Sequence, residues 1–127
     1  MYLSQQLTTL DGVTYPMARV LDFAMEMTGA LVQFGYVTVE LTRDCLLGLP
    51  GTILRGHSFH HSRIAGDVVR ETSYRVHYSL SGRQENEGYS VGNVLASYIH
   101  VHFRTAASVA MSLIEAARAH HAAQVPA

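Results

Sequence analysis

Alternating apolar and polar positions predict several β-strands in the middle of the chain. Residues 31–41 alternate in this way and are rich in β-branched and aromatic side chains, which favour strands. Residues 52–62 form a second extended segment, preceded by a Gly-Leu-Pro-Gly turn at 48–51. Residues 74–80 alternate cleanly, as a half-buried strand does. We expect residues 93–103 to form one further, long strand.

Helical spacing is found mainly near the two ends of the chain. Apolar residues 3, 7 and 10 predict a short helix over residues 1–10, and no N-cap residue precedes it, so the helix is expected to begin upstream of residue 1. Residues 13–24 fit either a helix or a buried strand. Residues 81–88 are expected to form a polar loop.

The last predicted element is a helix over residues 106–119. Thr105 is the expected cap. Its apolar stripe consists of Val109, Ala110, Leu113, Ile114 and Ala117. Strands followed by a helix indicate an α/β or α+β class, and 127 residues fit one domain, residues 1–127.

Composition excludes several classes of protein. A formal charge of −1, with nine arginines and no lysine, gives no basic cluster for a nucleic acid partner. No apolar run approaches the roughly 18 residues of a membrane span. The start has no signal-peptide pattern. Cys45 is the only cysteine, so no intrachain disulfide can form, and we expect a cytoplasmic protein.

Histidine is the residue type that most suggests chemistry, because six of the eight lie in strand-like segments. In His100-Val101-His102, strand geometry would direct both imidazoles to one face. Such a pair suits a metal site, or a general base with an orienting partner. Two solvated histidines on a sheet surface are the plainer alternative.

The segment 55–62 adds a second group of candidates. Strict alternation puts His57 and His61 on one face and His60 on the other, whereas a bulge near Gly56 would bring His57 and His60 together. A metal site, an anion or acyl-substrate site, and solvated histidines all remain open. Arg55 is a candidate to grip a carboxylate or phosphate.

Taken together, two motifs carry a family resemblance. Residues 55–62 fit R-G-H-x-F-H-x-S, and residues 93–103 fit N-x-x-A-S-Y-x-H-x-H-F. Gly-Tyr-Val at 35–37 and Met-Tyr-Leu at 1–3 add to this, the latter looking like the residues that follow a C-G-G-x nucleophile elbow. The chain thereby resembles the C-terminal glutamine amidotransferase domain of cobyrinic acid a,c-diamide synthase over almost its whole length.

The resemblance implies the α/β fold of class I glutamine amidotransferases, a mixed sheet flanked by helices, of which this chain would hold only the C-terminal part. The nucleophilic Cys would lie just before Met1. Cys45 is too far downstream to be that residue, so this chain alone is expected not to hydrolyse glutamine. Absent first strands would also leave an unpaired edge and an uncovered apolar face, which favour self-association, for example as a dimer.

The resemblance also implies the parent reaction, ATP-dependent amidation of the a and c acetate side chains of a cobyrinate-type corrinoid, with glutamine supplying ammonia. His100 would be the general base and His102 a candidate orienting group. Contacts to substrate or to another domain would come from Arg55, His57, His60 and Ser62. ATP and Mg²⁺ would bind a domain outside this chain, so no cofactor or metal is expected here.

Two alternatives remain at this stage. A related diamide synthase acting on a nickel tetrapyrrole shares the same motifs. A small metal-binding β protein would instead use His57, His60, His100 and His102 as ligands.

Overall fold

The computed structural model describes residues 1–67 and 70–124, which form short strands followed by one long helix. In chain order the strands are β1 (Gln6–Thr8), β2 (Thr14–Pro16), β3 (Met25–Met27), β4 (Gln33–Leu41), β5 (Ile53–His60), β6 (Ser62–Ile64), β7 (Tyr74–Tyr78), β8 (Gln84–Glu87), β9 (Tyr89–Val91), β10 (Val94–Ala96) and β11 (Ile99–Val101). A 3₁₀ turn (Phe103–Thr105) then leads into helix α1 (Ala107–Gln124).

The largest sheet is antiparallel, with strand order β11-β5-β4-β7-β8. β4 is its central strand and pairs with β5 from Gln33↔His60 to Glu40↔Ile53. On its other side β4 pairs with β7, where Val39 lies opposite Val76. The strands predicted over residues 31–41, 52–62 and 74–80 are therefore confirmed, with ends shorter by one or two residues.

The two faces of this sheet differ sharply in burial. The inner face carries the main core, because Val37, Val39 and Leu41 point inward at 2%, 1% and 1% exposure. α1 packs on this core through Val109. The outer face leaves Phe34 and Tyr36 exposed. This difference follows from the alternation of side chains along each strand.

A smaller mixed sheet, β2-β1-β3-β6, is built from the first three strands of the chain and β6. Its β1 and β3 pair in parallel, and its other neighbours are antiparallel. Leu21, Phe23 and Met25 form its core. The β9–β10 hairpin contributes Tyr89, whose ring packs edge-on against Phe23 at 5.0 Å between centroids. Mixed α/β architecture, as predicted, is what the structure shows.

The helix predicted over residues 1–10 does not form. β1 occupies residues 6–8, and Leu7 pairs with Tyr15 on one side and Met25 on the other. A helix this short is marginal in water, whereas a strand gains hydrogen bonds from two neighbours. Residues 13–24 are neither the helix nor the long strand expected, since only Thr14–Pro16 is regular.

Two further predictions for the second half of the chain are wrong. Residues 81–88 are not simply a loop, because Gln84–Glu87 pairs with β7. Residues 93–103 do not form one strand but two, β10 and β11, which belong to different sheets. The break falls at Ser97, whose hydroxyl accepts the Ile99 N–H at 2.7 Å and so replaces a ladder partner.

α1 differs from its prediction at both ends. It continues to Gln124 through an alanine-rich stretch, and alanine is the best helix former. Thr105 lies in the 3₁₀ turn instead of capping the helix, and its hydroxyl donates to the His102 carbonyl at 2.7 Å. Only the first part of the apolar stripe is covered, since Leu113 and Ile114 remain 38% and 43% exposed.

Candidate functional site

Three aromatic or imidazole rings form a row across the outer face of the large sheet. His100 on β11 lies directly opposite His57 on β5, which in turn lies opposite Tyr36 on β4. The His57 and His100 rings stack with centroids 6.1 Å apart, and Tyr36 meets His57 edge-on at 5.7 Å. Directly paired residues project to the same face, so the register alone brings these rings together.

His102 lies outside the strand that was expected to carry both histidines, because β11 ends at Val101. Its N–H donates to the carbonyl of Arg55 at 3.0 Å, and its backbone leads into the 3₁₀ turn. The ring that stacks on His100 is therefore that of His57. The Arg55 side chain is exposed on the same outer face as His57.

His60 lies on the opposite side of the sheet from His57 and His100. β5 pairs with β4 without a bulge, and Gly56 sits in register between Val37 and Val101. The sheet therefore separates the four histidines proposed as metal ligands. Within residues 1–67 and 70–124, no cluster of three or more His, Cys, Asp or Glu side chains is arranged to hold a metal ion.

The His60 imidazole is held by two neighbours. Its Nδ1 lies 2.8 Å from the Ser62 carbonyl oxygen. Its ring stacks on Tyr98, with centroids 3.9 Å apart and planes 13° from parallel. The Tyr98 hydroxyl in turn hydrogen-bonds the buried Ser62 hydroxyl. Two of the residues selected from the sequence, His60 and Ser62, thus meet through Tyr98.

The protonation of His60 follows from this environment. Burial lowers the pKa of His60 below its usual value, which favours the neutral ring at neutral pH. A carbonyl only accepts, so Nδ1 carries the proton and donates to Ser62. Nε2 is then left with a lone pair and acts as an acceptor.

The Glu87 carboxylate hydrogen-bonds the backbone of Tyr98 and the side chain of Ser97. It is 7% exposed and accepts the Tyr98 N–H at 2.6 Å and the Ser97 hydroxyl at 3.0 Å. Burial raises the pKa of the Glu87 carboxyl. Sequence reasoning missed this residue, because Glu87 ends a polar stretch typical of a loop and only its pairing opposite Tyr74 places it inside.

A cleft of about 500 Å³ opens between the large sheet and the mixed sheet on the His60 side. Leu21, Phe23 and Met25 supply apolar wall, and Met1 and Tyr2 also border the cleft. Its charged and polar lining residues include His60, Arg63, Arg83, Glu85, Glu87 and Tyr98. Clefts with mostly apolar walls and a few convergent polar groups are typical small-molecule sites.

One polar corner of this cleft is an ion pair. Arg83 Nη2 lies 3.0 Å from the Glu85 carboxylate, and the guanidinium stands 4.7 Å above the Tyr78 ring. The Tyr78 hydroxyl also donates to Glu85. Burial, followed by this bond, raises the pKa of the Tyr78 phenol well above its usual value. Both signs of charge are thus available at one corner.

Cys45 lies apart from both groups of histidines. It is half-buried and packs against the main core beside a tight turn in which its N–H donates to the Gly48 carbonyl at 3.1 Å. This is the environment of a structural thiol.

Comparison with known proteins identifies the family. Residues 1–108 match the CobB/CobQ-like glutamine amidotransferase domain. This chain belongs to that family. The matched range contains both histidine motifs, residues 55–62 and 93–103. Most of α1 lies beyond it. The α/β class expected for a class I glutamine amidotransferase is confirmed.

Three curated relatives of this amidotransferase domain share one name. Cobyrinate a,c-diamide synthase of Listeria monocytogenes serovar 1/2a is 39% identical over 110 residues, covering 81% of this chain and 23% of the relative. The synthase of Caldanaerobacter subterraneus is 39% identical over 105 residues, which cover 83% and 23%. That of Salmonella typhimurium is 34% identical over 123 residues, which cover 93% and 26%. The chain spans about a quarter of the length of these relatives.

In residues 1–67 and 70–124, no helix is both long enough and apolar enough to span a bilayer.

Proposed function

We propose that this chain forms the His100-bearing part of the glutamine amidotransferase domain of a cobyrinate a,c-diamide synthase. The parent enzyme would free ammonia from glutamine and use it to amidate acetate side chains of a cobyrinate-type corrinoid. The observation that carries the proposal is the family match over residues 1–108, within which both motif histidines, His57 and His100, meet on one exposed sheet face.

His100 serves as general base in this proposal. A Cys thiolate outside the chain attacks the glutamine carboxamide, and the C–N bond breaks to give a glutamyl thioester and ammonia. His100 takes the thiol proton and returns it to the departing nitrogen. Water then hydrolyses the thioester to glutamate. His57, whose ring lies 6.1 Å from that of His100, is the neighbour that would orient it.

The remaining functions fall outside this chain. ATP and Mg²⁺ would act in a separate domain that activates the acetate side chain as an acyl phosphate, which ammonia then attacks. A cytoplasmic location accompanies this assignment. His102 is kept as a candidate orienting group, although the ring that stacks on His100 is that of His57.

A chimera tests the proposal. The matching stretch of the Salmonella typhimurium synthase is replaced by this chain, and amidation of cobyrinate is measured with glutamine and with added ammonia. The chimera is expected to use both nitrogen sources. His100→Ala is expected to lower the glutamine-dependent rate by about 10²–10⁴-fold and to spare the ammonia-dependent rate, since general base catalysis contributes about that much.

Two further variants sharpen the result. His102→Ala should cost less than His100→Ala, because an orienting group contributes less than the proton acceptor. His77→Ala on β7 is the matched control, since His77 is a histidine on the same face of the same sheet and should leave both rates unchanged. An equal loss of both rates in His100→Ala, or glutamine use that survives it, would contradict the proposal.

A further inference from the structure

His100 lies on an edge strand of three residues. β11 (Ile99–Val101) stands at one end of the strand order β11-β5-β4-β7-β8, with β5 as its neighbour in the sheet. A catalytic group has to be held to within about 0.5 Å of its productive position. A short edge strand leaves much of that precision to contacts outside the strand ladder.

Side-chain hydrogen bonds hold the two residues that precede His100. The Ser97 hydroxyl accepts the Ile99 N–H at 2.7 Å. The Glu87 carboxylate accepts the Tyr98 N–H at 2.6 Å through Oε1 and the Ser97 hydroxyl at 3.0 Å through Oε2. The backbone N–H groups of residues 98 and 99 are thus bound by side chains, and both contacts lead back to Glu87.

These contacts connect the two edges of the large sheet. Glu87 is the last residue of β8, which stands at the opposite end of the strand order from β11. In a flat sheet the four strand spacings between these edges amount to about 19 Å. The hydrogen bonds of Glu87 therefore form only because the sheet curls.

We propose that Glu87 is a positioning residue for His100, which fixes the start of β11 through Ser97 and the Tyr98 N–H and thereby places the ring of the general base on the outer face. This role rests on the proposed function, because that function makes His100 the general base. Glu87 lies on the inner side of the sheet, acts through the backbone and takes no part in the proton transfer.

Glu87 is itself firmly held. It is 7% exposed and lies opposite Tyr74, which is 1% exposed. The next residue, Gly88, accepts the Ser73 N–H through its carbonyl at 2.8 Å. Because the anchor is fixed by β7 and by the chain that follows it, Ser97 and Tyr98 are held against a rigid part of the sheet.

The carboxyl group contributes something that packing alone does not. Burial raises the pKa of the Glu87 carboxyl, so this anchor carries a desolvation cost. An apolar side chain would fill the same volume without that cost, but it would leave the Tyr98 N–H and the Ser97 hydroxyl without this acceptor. What the carboxyl adds is the placement of the backbone that leads to His100.

Ser97→Ala in the chimera with the Salmonella typhimurium synthase tests the link. It removes the acceptor of the Ile99 N–H at an exposed position, so the fold is expected to survive. The kcat of glutamine-dependent amidation is expected to fall about 10–10²-fold, since a misplacement of about 1 Å can cost about 10²-fold. The KM for glutamine and the ammonia-dependent rate should stay unchanged, because the general base acts in the transition state of glutamine hydrolysis.

Two further variants complete the series. Ser97→Thr keeps the hydroxyl at the same exposed position and should retain most of the glutamine-dependent rate. Glu87→Ala removes both hydrogen bonds of the carboxylate and should lower kcat at least as far as Ser97→Ala does. If Glu87→Ala does not fold, the comparison of Ser97→Ala with Ser97→Thr still decides the matter.

Val39→Ala is the control that separates positioning from stability. Val39 is 1% exposed in the main core and lies opposite Leu54 and Val76. Its truncation leaves a cavity and destabilises the same sheet. At a temperature where circular dichroism shows all variants to be folded, Val39→Ala should leave the glutamine-dependent kcat unchanged.

Amide hydrogen exchange on this chain by itself measures the positioning of β11 without any chemistry. Relative to the amides of β7, those of β11 are expected to exchange faster in Ser97→Ala and at the unaltered ratio in Ser97→Thr. Equal protection of β11 in both variants would show that Ser97 does not hold the strand.

An unchanged glutamine-dependent kcat in Ser97→Ala would overturn the role of Glu87, as would an equal loss in Ser97→Thr or in Val39→Ala. Failure of the proposed function gives a different result, in which His100→Ala leaves glutamine-dependent amidation intact while hydrogen exchange still reports whether Ser97 holds β11. If His100→Ala abolishes that amidation and Ser97→Ala does not slow it, the proposed function stands and the positioning role is rejected.

Discussion

Gly56 and His100 touch through their backbones. A Cβ placed on Gly56 would lie 2.8 Å from the His100 carbonyl oxygen and 2.6 Å from Ile99 Cγ2. Only glycine therefore lets β11 approach β5 closely enough for His100 to pair with His57. The glycine of the R-G-H motif positions a histidine more than forty residues away in the chain.

Gly56→Ala is expected to push β11 away from β5. Overpacking of this kind costs about 1–3 kcal/mol, measurable by chemical denaturation of the chain. In the chimera, the glutamine-dependent rate should fall while the ammonia-dependent rate is retained, because His100 moves. Gly29→Ala is the control, since nothing lies within 4 Å of a Cβ there. Equal stability of the two variants would contradict this account.

Gly88→Ala should be more damaging than Gly82→Ala, although both glycines have positive φ, +85° and +67°. A left-handed backbone with a Cβ costs about 1–2 kcal/mol at either position. At Gly88 the Cβ would also lie 2.2 Å from Tyr74 Cε1, and the Tyr74 ring is buried. Overpacking adds about 1–3 kcal/mol. Denaturant midpoints of the two variants measure the difference, and indistinguishable midpoints would be inconsistent with the packing described here.

Glu87→Ala is expected to destabilise the chain by about 2–4 kcal/mol, because it strands the N–H of Tyr98 and the hydroxyl of Ser97. Glu87→Gln keeps an acceptor and should cost less. Urea unfolding of both variants gives these values. A loss in Glu87→Gln as large as that in Glu87→Ala would argue against the hydrogen bonds as the cause.

The stability difference between Glu87→Gln and the unaltered chain should depend on pH in a definite direction. Burial raises the folded-state pKa of Glu87 above its usual 4.5. Its stabilising contribution is therefore fully present below that value and is lost as the pH rises through the folded-state pKa. The deficit of Glu87→Gln relative to the unaltered chain should accordingly be smaller at pH 7.5 than at pH 4.5. A deficit that grows with pH would show that the carboxyl is not desolvated.

Self-association is expected through the outer face of the large sheet. Phe34 and Tyr36 are 55% and 76% exposed side by side on β4, and contiguous apolar surface of this kind recruits partners. Light scattering across a dilution series should show mass rising with concentration. Tyr36→Glu should reduce it, whereas Tyr15→Glu, a tyrosine 50% exposed on the other sheet, should not. A monomer at all concentrations would contradict the expectation.

The local sequence determined the elements whose signal is an alternation of side chains. β4, β5 and β7 were predictable because each strand buries one face, so hydrophobic and polar residues must alternate. The position of His60 opposite to His57 followed from the same period of two. The family resemblance rested on the order and spacing of two motifs, which the chain retains whatever its neighbours do.

The tertiary structure decided the partners of these residues. Pairing of β11 with β5 put His57, instead of His102, against His100. Pairing of β8 with β7 buried Glu87 beneath Tyr98, although its neighbours are polar. Residues 6–8 became a strand because β2 and β3 were available beside them. Each outcome depends on hydrogen bonds between segments far apart in sequence, whose energies no local pattern contains.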